Sequence, residues 1–211
     1  MFMPCGRRVT QSASQQRLEQ LIAQRLEAGA DKAAIDKRLW DLLGETRAVM
    51  YTDLSGFSRR VAEFGIIQFL QTIYESLRLF IPCIETQDGI LLKAEADSLL
   101  VIFRRPELAM RCAMAMQRAA RDYNCGVPPE EHVLLCVGLG YGEMLRIGDE
   151  DVFGAEVNAA SKLGEDTARA TDILVTENVR ANLPEMGLRF ERLEVAPSGA
   201  AAAYRTIYEA G

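Results

Sequence analysis

A chain of 211 residues, 49% of them hydrophobic, is long enough for one well-buried core and short for two, so it reads as a single domain with an appendage. A charged fraction of 26% is ordinary for a folded protein and gives no sign of disorder. The formal net charge of −6 argues against a nucleic-acid groove, which needs a basic face or stripe.

Cys5, Cys83, Cys112, Cys125 and Cys136 are odd in number, widely spaced and mostly embedded in apolar stretches, the pattern of free thiols rather than of a disulfide framework. No CxxC pair occurs and His132 is the only histidine, which argues against zinc. The opening residues lack the apolar run of a signal peptide and no later stretch approaches membrane-spanning length, so no membrane partner is expected and a reduced cytoplasm is the expected location.

Residues 11 to 44 read as two helices, one striped by Leu18, Ile22 and Leu26 and the next by Ile35, Leu39, Leu42 and Leu43. Gly29 would end the first, Asp31 cap the second and Gly44 end it. A strand follows at residues 48–52, then the turn Asp53-Leu54-Ser55-Gly56-Phe57-Ser58, then one long helix buried through Ile66, Phe69, Ile73, Leu77, Phe80 and Ile84.

From Gly89 a strand pair spans residues 90–93 and 98–103, joined by the acidic corner Ala94-Glu95-Ala96-Asp97. A helix opens at Pro106, where a missing N–H is harmless. Residues 133–141 form an apolar, Gly-rich strand, a charged hairpin follows, and residues 158–168 read as a helix. Short strands close the chain at 173–176, 188–193 and 204–208. This order predicts an α+β fold: a ferredoxin-like βαββαβ sheet with its helices on one face, C-terminal additions and an N-terminal helical segment.

Asp53 directly follows an apolar strand, and Asp97 sits at the corner of a strand pair expected beside it. Two carboxylates on adjacent strand ends suit a hard cation. With neither imidazole nor thiolate to help, the site should take Mg²⁺ or Mn²⁺, and two such ions would suit phosphoryl transfer.

The segments Tyr51-Thr52-Asp53-Leu54-Ser55-Gly56-Phe57-Ser58, Lys93-Ala94-Glu95-Ala96-Asp97 and Asp151-Val152-Phe153-Gly154-Ala155-Glu156-Val157-Asn158-Ala159-Ala160-Ser161-Lys162, in that order and spacing, resemble the class III adenylate and guanylate cyclase catalytic domain, whose fold is the nucleotide cyclase fold. The resemblance covers about residues 47 to 208 and divides the chain into a helical segment, 1–46, and a catalytic domain, 47–211.

The resemblance implies that Asp53 and Asp97, with the backbone of Leu54, bind two Mg²⁺ or Mn²⁺ ions per site. Lys93 and Asp151 match the base-reading pair, a cation donor and a carboxylate acceptor that complement N1 and the exocyclic amine of adenine. Asn158 matches the residue that orients the ribose. Lys162, one turn later on the same face, stands where the family most often has an arginine that stabilises charge at the α-phosphate.

The implied function is adenylate cyclisation, ATP to 3′,5′-cyclic AMP and pyrophosphate, in a homodimer whose composite sites take Asp53 and Asp97 from one protomer and Lys93, Asp151, Asn158 and Lys162 from the other. Ala96 replaces the usual glycine, and no lysine near the carboxyl end matches the one that grips the terminal phosphates; Arg192 and Arg205 are the candidate substitutes. The alternative reading is a catalytically weak or inactive nucleotide-binding regulatory module on the same fold.

Overall fold

The computed structural model describes residues 13–208 and, at residues 57–60, the backbone alone. Cys5 and the first two residues of the expected lead-in helix fall outside that range. Helices α1 (Ala13–Leu26) and α2 (Lys32–Leu43) precede β1 (Gly44–Leu54), and α3 (Phe57–Phe64) and α4 (Ile66–Thr86) precede the hairpin β2 (Ile90–Glu95) and β3 (Ser98–Phe103). Then come α5 (Pro106–Asn124), β4 (Leu135–Ile147), β5 (Asp151–Phe153), α6 (Ala155–Ser161) running into a π-helical turn (Lys162–Thr167), β6 (Ile173–Thr176), α7 (Glu177–Asn182), β7 (Arg189–Arg192) and β8 (Ala203–Ile207).

The sheet order is β2-β3-β1-β4-β6-β8-β7, with β5 paired to the far end of β4. Strands β2-β3-β1-β4 each run antiparallel to their neighbours in this order. They hold α4 and α5 as their two crossovers, which is the βαββαβ core expected. Among the described residues the only parallel pairing in this sheet is β4 with β6, and β8 and β7 extend it outward.

Alternation along the strands sends residues to two different layers. Ala48 and Met50 of β1, Val101 and Phe103 of β3, and Val137 and Leu139 of β4 pack with Phe69, Phe80 and Ile84 of α4 and Met110, Cys112 and Met116 of α5. Their neighbours Val49, Leu100 and Ile102 meet Val157 and Ala160 of α6 instead. The helices therefore lie on both faces, not one. The short α6 carries few large apolar side chains, and only the contacts across the sheet reveal what it covers.

Other departures have local causes. Gly65, at φ +86°, divides the expected single helix into α3 and α4, a conformation natural only to glycine. Ile66 is then exposed rather than buried. Strand β4 runs on to Ile147 through part of the expected charged hairpin because Glu45 and Thr46 pair with Met144 and Glu143 across it. Helix α7 lies in a stretch for which no element was expected.

In the lead-in, Asp31 caps α2 by accepting from the Ala34 N–H, as read, whereas α1 already ends at Leu26, before Gly29 with its φ of +81°. The buried stripe is shifted: Leu21 is wholly buried against Leu39, Leu43 and Ile147, while Ile22 and Leu26 are 41% and 80% exposed. Among the described residues no helix is long and apolar enough to cross a membrane. Cys83, Cys112, Cys125 and Cys136 are free thiols.

Candidate active site

Asp53, Asp97, Lys93, Asp151, Asn158 and Lys162 lie within or beside the β2-β3-β1-β4 core, and the structure brings them together in pairs. Asp53 is near the end of β1, in register with Cys136 of β4. Asp97 is in the two-residue turn that closes the β2–β3 hairpin, between the paired Glu95 and Ser98. Because β3 lies beside β1, the turn brings the second carboxylate back to the first. Burial, reinforced by the Asp97 carboxylate beside it, pushes Asp53 up to about 7, against the opposing effect of the Leu54 N–H. Two like charges held together in a half-buried corner call for a cation.

The donors fit a hard divalent ion, but incompletely. Among the described residues no group of three or more His, Cys, Asp or Glu side chains could hold a metal. Asp53 and Asp97 could supply two carboxylates and the Leu54 carbonyl a third oxygen, leaving the remaining positions to water and substrate phosphates, the usual way Mg²⁺ is bound.

The Ala96 backbone carries strain. Its φ is +50°, at the first central position of the hairpin turn, where glycine is favoured in turns with a positive φ there. For alanine this conformation costs roughly 1 kcal/mol. The usual glycine would sit there freely, so the sequence departure is a real structural one.

Lys93 and Asp151 are 58 positions apart and form an ion pair, Nζ to Oδ2 2.6 Å, with roughly a third of each side chain exposed. Lys93 is placed by an irregularity in the β2–β3 register between Leu91 and Lys93, and bulges of this kind re-aim a side chain. Asp151 is the first residue of β5, opposite Ile147, and its Oδ1 also accepts from the Val152 N–H at 2.9 Å. Nearby, burial together with Asp151, Glu165 and Glu95 pushes the Tyr51 phenol up to about 12, so it stays neutral.

Asn158 and Lys162 occupy one face of the α6 segment and converge on a residue that sequence reading missed. Ser198, in the connection between β7 and β8, accepts from Asn158 Nδ2 through its carbonyl at 2.9 Å and its Oγ at 3.2 Å, and from Lys162 Nζ through Oγ at 2.7 Å. A second missed residue is Glu156. Buried in α6, it accepts from the Tyr141 N–H (3.0 Å), Thr176 Oγ1 (2.6 Å) and Asn178 Nδ2 (2.7 Å), locking α6 to β4, β6 and α7. No sequence signal marks Ser198, while the Glu lies inside a recognised motif.

The two arginines considered for the terminal phosphates fare differently. Arg205 is committed to a two-pronged ion pair with Asp172, at 2.9 and 3.1 Å, so it is not available. Arg192 is exposed on β7, opposite Tyr204.

Fold and site together define a sheet domain with a paired-carboxylate corner, a partly buried Lys–Asp pair, and an asparagine and a lysine that converge on one serine. The family model for the adenylate and guanylate cyclase catalytic domain matches residues 44–200, and the chain belongs to that family. It is similar to a crystal structure of an adenylate/guanylate cyclase/hydrolase from Silicibacter pomeroyi, with TM-score 0.66 and 22% identity, covering 79% of this chain and 98% of that one. It is also similar to the serine/threonine-protein kinase pkn2 of Myxococcus xanthus, 31% identical over 131 residues, which are 62% of this chain and 16% of the relative. A third likeness is to a protein of Rhizobium meliloti (strain 1021) named "Putative adenylate cyclase 3", 27% identical over 116 residues, 55% of this chain and 20% of the relative. The matched region is thus a small part of both curated relatives.

Proposed function

We propose that the chain is an adenylate cyclase that converts ATP to 3′,5′-cyclic AMP and pyrophosphate at composite sites of a homodimer. The observation that carries the reading is the Lys93–Asp151 pair at 2.6 Å. It offers one cationic donor and one anionic acceptor at a half-exposed edge, the complement of adenine's ring-nitrogen acceptor and amine donor. Guanine reverses that pattern and would leave both groups facing unlike partners.

In the reaction the ribose O3′ forms a bond to the α-phosphorus while the bond from that phosphorus to the bridging oxygen breaks. Pyrophosphate leaves with the electron pair, and the hydroxyl proton passes to solvent. Asp53, Asp97 and the Leu54 carbonyl would hold two divalent cations, Mg²⁺ or Mn²⁺, whose chemistry is to neutralise the triphosphate and acidify the hydroxyl. Asn158 would orient the ribose from the opposite protomer, and the Lys162 ammonium would oppose the charge that grows at the α-phosphate. Helices α1 and α2 would lead into the catalytic domain, which would take up the chain from about residue 47.

The alternative, a nucleotide-binding regulatory module, draws support from the strained Ala96 turn and from Arg205 being occupied by Asp172. Turnover of ATP and of GTP with Mg²⁺ or Mn²⁺, for the wild type and Asp53→Ala, separates the readings. Cyclic AMP from the wild type and a loss of about a thousandfold in a folded Asp53→Ala would support the enzyme. Nucleotide binding without cyclic product from the wild type would leave the regulatory module.

A further inference from the structure

Ser198 is not part of the three motifs, yet it is the point on which both side chains of the α6 face converge. Its hydroxyl oxygen has two lone pairs, and Asn158 Nδ2 and Lys162 Nζ occupy both. Its carbonyl takes a second hydrogen bond from the same amide. A carbonyl can only accept, so the amide nitrogen must face Ser198 and Oδ1 must be the atom left for a ligand. With both lone pairs used, the serine's own hydrogen is free to turn toward a ligand too.

Lys162 makes this arrangement consequential. An ammonium on a four-carbon stem has no fixed fork and little intrinsic direction. Lys162 is in none of the ion pairs of the described residues, and its hydrogen-bond acceptor is the neutral Ser198 hydroxyl. The lysine is therefore held in place without being neutralised, which is what an anion site requires of its cation.

The connection that carries Ser198 is itself held. Ala200 N–H bonds to the Pro197 carbonyl at 3.2 Å, closing a turn over Pro197, Ser198, Gly199 and Ala200. Gly199 takes φ +105°, and a Cβ there would run into the Ala155 carbonyl at the start of α6. Only glycine permits both the torsion and this approach, so the turn is pressed onto the helix whose side chains it orients.

We infer that Ser198 is a positioning residue for the transition-state pair: it aims Asn158 Oδ1 and the Lys162 ammonium, supplying by a hydrogen bond the direction that an arginine's planar fork would carry by itself. The inference rests on the cyclase reading for its kinetic consequence and on hydrogen-bond geometry alone for its structural one.

Ser198→Ala should lower kcat for cyclic nucleotide formation about tenfold to a hundredfold, the range for a misplaced catalytic group, with KM changed much less. Ser198→Thr keeps a hydroxyl and should recover most of the rate. Gly199→Ala keeps the serine but displaces it, and should reproduce the loss. In a Lys162→Ala background, Ser198→Ala should have a markedly smaller effect than in the wild type. Fully multiplicative effects, or a Ser198→Ala enzyme as fast as wild type, would overturn the inference.

A readout independent of turnover keeps the two readings apart. The side-chain amide resonances of Asn158 should move in Ser198→Ala and return close to their wild-type positions in Ser198→Thr. If the wild type forms no cyclic product from ATP, the adenylate cyclase reading falls, and unmoved amide resonances then overturn the role of Ser198 whereas shifted ones uphold it.

Discussion

The two faces of the central sheet are built by different rules. On the α4–α5 face, large side chains such as Phe69, Phe80, Phe103, Met110 and Met116 interdigitate and keep the helices at side-chain distance. On the α6 face the backbone itself approaches the sheet. A Cβ added at Gly138 would meet the Ala160 carbonyl, and one at Gly140 the Glu156 carbonyl. The first face supplies apolar burial, worth roughly 25 cal/mol per Å². The second buries less and instead brings the backbone of the helix that carries Asn158 directly against the sheet. Stability and placement are thus largely assigned to opposite sides of one sheet.

The largest effects should separate the two. Phe80→Ala, opening a cavity in the α4–α5 layer, should lower stability by about 3–4 kcal/mol while activity per folded molecule stays close to wild type. Gly138→Ala forces a methyl against backbone that cannot yield, and should lower stability by about 2–3 kcal/mol and also depress activity per folded molecule by tenfold or more. Denaturant unfolding combined with active-site-normalised turnover checks both. Equal activity per folded molecule in the two variants would break the division.

A smaller effect concerns a pair that should matter for selection and hardly at all for stability. Lys93 and Asp151 are about a third exposed, and such pairs contribute roughly 0–1 kcal/mol. Lys93→Ala should leave the unfolding midpoint nearly unchanged yet reduce the preference for ATP over GTP, measured as a ratio of kcat/KM, by about tenfold or more. A large drop in stability with intact preference would assign the pair to the scaffold.

The paired-carboxylate corner gives a pH signature. Burial and Asp97 raise Asp53 in the fold, to about 7, above the ordinary carboxylate value, so between about pH 4 and pH 7 the folded protein holds a proton that the unfolded chain has released. Metal-free stability should therefore fall as pH rises through that window. Asp53 is only half-buried, so solvent screening reduces the effect to about 1 kcal/mol. Thermal melts in chelator at pH 5 and pH 8 should show the decline in the wild type and lose it in Asp53→Asn. Mg²⁺ or Mn²⁺ should offset it at pH 8 and do little at pH 5.

The smallest expected change is a gain. Ala96→Gly relieves the φ +50° strain at the hairpin turn, a benefit of about 1 kcal/mol diminished by the extra freedom of glycine in the unfolded chain. A slightly raised melting temperature would confirm that the turn, and not only the motif, prefers glycine.

What could be read from the amino-acid order is what is encoded locally. The apolar strand at residues 48–52, the Asp31 cap, the Pro106 helix start and the hairpin between residues 90 and 103 each depend on neighbours a few positions apart, and all appear as read. The six side chains drawn from the motifs, Asp53, Asp97, Lys93, Asp151, Asn158 and Lys162, could be singled out because residue type and spacing persist without the fold. Tertiary structure alone decided which of them meet and what orders them. Ser198 reaches Lys162 across 36 positions and Asn158 across 40, Arg205 is claimed by Asp172 across 33, and Leu21 rather than Ile22 faces Ile147. These outcomes depend on backbone approach between elements distant in sequence, and no local periodicity reports such distances.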